Sequence, residues 1–172
     1  WLDFYEFPGE NPGFPEPGGA ENDVDYQWKG LQVAERVLSQ INILSYYMCS
    51  DNLTPAWLST VLTMFAHQVE LIRNTYYRDS NIRVTQLQAV ATAGILMPEF
   101  KNAGTWASEA CKLLKQELDN QFFDDGVLVE LDPSYHIAAI ADFINISTLA
   151  DYNNCRNLIG DDFLTKLHKA MT

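Results

Sequence analysis

Basic residues are scarce in this chain. Its 172 residues hold 11 Lys and Arg against 23 Asp and Glu, a formal net charge of −12. A surface field of that sign counts against nonspecific binding to nucleic acid or to an anionic membrane. It also counts against a polyanion coating the whole surface, although a locally basic cleft could hold one. Cysteine is scarce as well. Cys49, Cys111 and Cys155 are odd in number and widely spaced, with no CxxC pair. That excludes a disulfide framework and a zinc site, and leaves buried free thiols as the expectation. No run approaches the ~20 apolar residues of a membrane span. The opening segment lacks the basic start and apolar run of a signal peptide, as would any chain trimmed at both ends. P-loop, GxSxG, HExxH and EF-hand patterns are all missing. What is present is globular: 47% hydrophobic and 20% charged residues, in a length that supports one domain with a real core.

Residues 1–25 carry four of the seven prolines and four of the nine glycines, mixed with Trp1, Phe4, Tyr5, Phe7 and Phe14. That density breaks regular structure and reads as a lead-in loop. Residues 26–172 read as one helical domain. From Trp28 to about Cys49, apolar residues recur at helical spacing. Thr54 followed by Pro55 is a strong start signal for a second helix, which runs to about Tyr76. Asp79-Ser80-Asn81 is turn chemistry. A third helix follows until Pro98 stops it, and Asn102 can cap a fourth. Residues 123–132, with Asp125-Gly126 between apolar and β-branched neighbours, read as a short β-hairpin or extended loop. Ser134 is the expected cap of a fifth helix to about Tyr152, and Gly160-Asp161 open a sixth. The class is therefore all-α, in antiparallel helical hairpins. The last helix is still amphipathic where the chain ends, which suggests a domain cut short.

The stretch from Asp79 to Ile146 resembles the helical N-terminal domain of heparinase II/III-type polysaccharide lyases. Asn81-Ile82-Arg83 opens a helix that ends in Pro98-Glu99-Phe100. A helix rich in Leu, Lys and Glu follows. Then comes the most specific piece, Asp125-Gly126 and Glu130 leading to Pro133-Ser134-Tyr135-His136. Within the family the segment is most similar to the heparinase III type. The resemblance implies a truncated (α/α) toroid, with the family's C-terminal β-sandwich domain absent from this chain. It implies an acidic, uronate-containing polysaccharide as partner, heparan sulfate first and alginate second, and a periplasmic or secreted location. No cofactor or metal is expected in this chain.

The implied chemistry is β-elimination: the C5 proton of the uronate is removed and the C4–O bond breaks. A neutral donor against the carboxylate disperses the charge of the developing enediolate. Asn81 matches the family's neutralising position; without the resemblance it reads as a helix cap. Tyr135 matches the family's catalytic tyrosine. A phenol keeps its proton at neutral pH unless cations draw it off, so the general-acid role to the departing O4 suits it unaided. Without its motif, Tyr135 reads as a half-buried residue on the first turn of a helix. Both positions open alternate helices of an antiparallel array, so both are expected at one rim. His136 and Glu130 belong to the motif as supporting residues, against a purely structural reading of each. Arg73, Arg78 and Arg83 form the one basic cluster, suited to carboxylate or sulfate, or else an ordinary solvated helix end. His67 and His168 read as structural, with His67 on or near an apolar face.

Two other classes stay open. One is a glycan-binding module of the same fold without turnover. The other is a glycoside hydrolase using Asp124, Asp125, Glu130 or Asp132 as a carboxylate pair, although two acids in a DG turn are more often turn formers. The family's second proton-transfer group, a histidine, comes from the downstream domain, so this chain by itself is expected to be inactive.

Overall fold

Apolar residues at helical spacing become helices wherever a start signal precedes them. The computed structural model describes residues 28–78 and 80–171; the expected lead-in loop at 1–25 lies outside the described residues. The chain divides into two compact units, residues 1–75 and 76–172.

The first unit contains α1 (Gly30–Tyr47) and α2 (Pro55–Asn74). Thr54 caps α2 as expected, accepting from Trp57 N at 3.2 Å, with Pro55 in the first turn. Val33, Ala34, Val37, Ile41 and Leu44 are buried on α1, and Val61, Met64, Phe65, Val69 and Ile72 on α2. Gln40 and Gln68 are buried among them, and their amides exchange hydrogen bonds of 3.3 Å. Arg36 Nε adds a bond of 2.6 Å to Gln68 Oε1. Buried amides need such partners.

The second unit contains α3 (Asn81–Leu96), α4 (Ala103–Gln121), α5 (Pro133–Tyr152), a 3₁₀ turn (Arg156–Leu158) and α6 (Gly160–Ala170). The described residues hold six α-helices and no strand, so the all-α expectation is met. α3 is buried almost all round, from Val84 to Ile95. Small residues let it lie close to α4: a Cβ added at Gly94 would stand 2.4 Å from Ala107 N and 2.6 Å from Ala103 O. The end of α3 thus meets the start of α4, while Gln121 at the end of α4 donates to Ser80 O beside the start of α3. The two helices are antiparallel. Trp106, Leu87, Leu114, Leu128, Phe143, Ile146 and Ile159 fill the core.

Several local expectations are corrected. Ser80, not Asn81, is the N-cap residue of α3, and Asn81 is its first helical residue. Asp132, not Ser134, caps α5: its Oδ1 accepts from Ser134 N at 2.7 Å and Tyr135 N at 3.2 Å. Pro133 explains the shift, because a residue with no N–H and a fixed φ suits the first helical position and moves the cap one residue back. At 123–132 the hairpin reduces to one antiparallel bridge, Phe122 with Leu128. Phe123 N donates to Val127 O at 2.9 Å, and Gly126 turns the chain at φ +91°. Two short arms without a third strand do not extend into a ladder. Of the cysteines only Cys111 is buried. Cys49 is exposed past the end of α1, and Cys155 is half-buried in the turn after α5.

Candidate active site

The starts of α3 and α5 gather around the end of α4. Gln121 Nε2 reaches Ser80 O at 3.1 Å. Its neighbour Phe122 places its ring 5.6 Å from the His136 ring and 6.0 Å from Phe143, edge-on to both. One turn into α3, Thr85 Oγ1 donates to Asp142 Oδ2 of α5 at 2.7 Å. Asn81 and Tyr135 therefore stand at the same end of the unit, as the alternation of helices led us to expect.

Asn81 is half-buried and Tyr135 is 49% exposed. Neither the Asn81 amide nor the Tyr135 hydroxyl has a hydrogen-bond partner among the described residues. The Tyr135 backbone, by contrast, is fixed by the Asp132 cap. Both side chains leave the first turn of a helix with their polar groups unengaged among the described residues.

His136 is engaged at both ring nitrogens. Leu128 N donates to Nδ1 at 3.2 Å, and Nε2 lies 3.1 Å from Ala170 O. The tautomer with its proton on Nε2 satisfies both contacts. The ring ties the 122–128 turn and the end of α6 to the start of α5. Gly126 completes this seam: a Cβ there would stand 2.5 Å from Lys169 O, in a backbone conformation that favours glycine. Glu130 is exposed in the segment leading to Asp132.

The three arginines differ. Arg83 is drawn inward: its Nε lies 2.8 Å from Glu117 Oε1, its Nη1 donates to Tyr77 O at 2.8 Å, and its guanidinium sits 5.6 Å above the Tyr76 ring. The Nε–Glu117 contact is an ion pair without hydrogen-bond alignment. Arg78 is exposed. Arg73 belongs to the first unit, where it pairs with Glu70 at 2.6 Å. His67 and His168 are exposed, so His67 does not lie on the buried face of α2. No group of three or more His, Cys, Asp or Glu that could hold a metal occurs among the described residues. No described helix is long and apolar enough to cross a membrane. A cavity of about 260 Å³ between α4 and the start of α6, lined by Lys115, Asp119, Gly160 and Lys166 among others, includes none of the predicted site residues.

Sequence reasoning passed over Glu117 and Gln121. The available signal was an acid on the apolar stripe of α4, three residues after Leu114 and seven after Ala110.

This architecture is that of a helical-hairpin domain with two polar helix starts converging at one end. Residues 2–172 match the family model described as Heparinase II/III N-terminus, and the chain belongs to that family. It is 39% identical over 171 residues to a heparin-sulfate lyase of Bacteroides thetaiotaomicron, covering 99% of this chain and 24% of that protein. A heparin-sulfate lyase of Pedobacter heparinus is 33% identical over 129 residues, 74% of this chain and 20% of the relative. Among solved structures, one of heparinase III superposes with a TM-score of 0.86 at 38% identity, covering 99% of this chain and 25% of that one. A heparan sulfate lyase from Pedobacter heparinus gives 0.76 at 29% identity, covering 90% of this chain and 24% of that one. The chain thus spans about a quarter of the length of the relatives it matches.

Proposed function

We propose that this chain forms the helical wall of a lyase site that cleaves heparan sulfate by β-elimination, as part of a longer polypeptide acting outside the cytoplasm. The observation that carries the reading is the convergence of the α3 and α5 starts, with the Asn81 amide and the Tyr135 hydroxyl unengaged among the described residues. The names of the relatives, heparin-sulfate lyase, supply the substrate class. In this reading the Asn81 side chain donates N–H to the uronate carboxylate. As the C5 proton leaves, charge builds on that carboxylate, and a fixed donor stabilises it more than it stabilises the ground state. The C5 proton passes to a base supplied by the rest of the longer polypeptide, where the family's second proton-transfer histidine is expected. The C5 electron pair forms the C4–C5 double bond, the C4–O bond breaks, and the Tyr135 hydroxyl supplies the proton to the departing oxygen.

His136 keeps the Tyr135 turn docked and takes no part in proton transfer, because both its nitrogens are engaged. Arg78 is the exposed arginine of the basic cluster and offers a planar fork to sulfate or carboxylate. The test is incubation of the whole protein with heparan sulfate, followed by the ultraviolet absorbance of an unsaturated uronate. New reducing ends without that absorbance mean hydrolysis. Binding without either means a glycan-binding module. Turnover of alginate but not heparan sulfate moves the substrate while keeping the reaction.

A further inference from the structure

We propose that Glu117 and Gln121, acting with Arg83, are positioning residues that hold the peptide bearing Asn81 in one orientation. The inference rests on the reading of Asn81 as the donor to the uronate carboxylate.

Glu117 is only 4% exposed, on a helix face otherwise built from Ala, Leu, Cys111 and Trp106. A carboxylate there is expensive unless its oxygens are occupied, and both are. Oε1 lies 2.8 Å from Arg83 Nε, and Oε2 accepts from Gln121 Nε2 at 3.1 Å. Gln121 Nε2 also donates to Ser80 O at 3.1 Å, and the same oxygen accepts from Arg83 N at 2.9 Å. Ser80 C=O and Asn81 N belong to one planar peptide group. Two donors converging on that oxygen fix the plane, and with it the direction in which Asn81 leaves the backbone.

The approach to Asn81 is anchored from the other side too. Arg83 Nη1 holds Tyr77 O, and Tyr77 N donates to Gln86 Oε1 at 2.8 Å. One buried carboxylate thus ties together residues before and after the Asn81 position, through Arg83 and Gln121. This network gives Arg83 a task different from gripping the glycan. Its guanidinium is spent on Glu117, Tyr77 and Tyr76, and its effect on the reaction passes through Asn81.

A donor misplaced by about 1 Å can lose on the order of 10²-fold in rate. Two variants probe this in the whole protein with heparan sulfate as substrate. Glu117→Gln keeps the side-chain volume and removes the charge that draws Arg83 inward. Gln121→Met keeps the length and removes the bond to Ser80 O while leaving the ion pair. Both are expected to lower kcat by roughly 10- to 100-fold with KM within about twofold. Combined with Asn81→Ala, neither should lower the rate further, because residues acting through one group are not additive. Wild-type kcat in the variants, losses that multiply with that of Asn81→Ala, or a rise in KM alone would each overturn the proposal. If Glu117→Gln does not fold, Gln121→Met decides by the same criteria. If Asn81→Ala itself turns over normally, the reading of Asn81 falls, and the positioning role falls with it. Loss in Asn81→Ala with none in Glu117→Gln and Gln121→Met removes the positioning role alone.

Discussion

Replacing Asn81 by alanine separates a chemical role from a structural one, and the geometry makes the two outcomes distinct. A true N-cap lost to alanine costs about 1 kcal/mol of stability. Asn81 is not the cap: Ser80 holds that position, and no side-chain capping bond is made there. Alanine in the first turn is a good helix former. The expected change in stability is therefore within about 0.5 kcal/mol, as for a surface substitution that touches no special feature. The rate should behave differently. Removing one preorganised donor to a developing oxyanion costs on the order of 10²–10³ in kcat. The assay pairs thermal melting with heparan sulfate turnover on the same preparation, normalised to folded protein. The expected result is an unchanged Tm with turnover lower by two to three orders of magnitude. A lowered Tm with normal turnover per folded molecule would refute the reasoning and return Asn81 to helix structure.

Two further predictions concern the fold. Gly94→Ala places a Cβ against the Ala107 and Ala103 backbone; overpacking of about 3 kcal/mol, against about 1 gained in helix propensity, leaves a net loss near 2 kcal/mol in chemical denaturation. Burial pushes the Cys111 thiol up from 9.0 to about 11, against the opposing charge of Lys115 and with a small upward push from Cys155. Between those values the unfolded thiol ionises while the folded one stays protonated, so stability present below pH 9 falls as pH rises towards 11, by about 2–3 kcal/mol at most. Cys111→Ala should flatten that part of the stability–pH curve, and an unchanged slope would show that other groups cause it.

Much of this architecture was legible in the residues because its signals are local. Thr54-Pro55, the helix start at Ser80-Asn81 and the stop before Pro98 each act within one helical turn. So does the Asp132 cap, yet it was misplaced, since Ser134 is itself a good capping residue and only Pro133 decides between them. The 123–132 segment carries hairpin chemistry, but whether strands grow from a turn depends on partners that spacing does not reveal. Cys49 and Cys155 were expected inside because cysteine is usually buried; their places in turns follow from where helices end. The convergence of Asn81 and Tyr135 was readable from helix alternation. The Glu117–Arg83–Gln121 network was not. Its members sit on two helices, and a buried acid becomes intelligible only when the facing arginine is seen. Arg83 looked like part of a basic surface cluster for the same reason.

The most direct measurement is the ultraviolet absorbance of unsaturated uronate released from heparan sulfate by the whole protein and by its Tyr135→Phe variant. Elimination with Tyr135 as proton donor predicts strong absorbance for the native protein. It predicts a fall of about 10²–10⁴ in turnover for the variant, with binding little changed because the ring remains. Reducing ends formed without that absorbance, or a variant as fast as the native protein, would contradict the account.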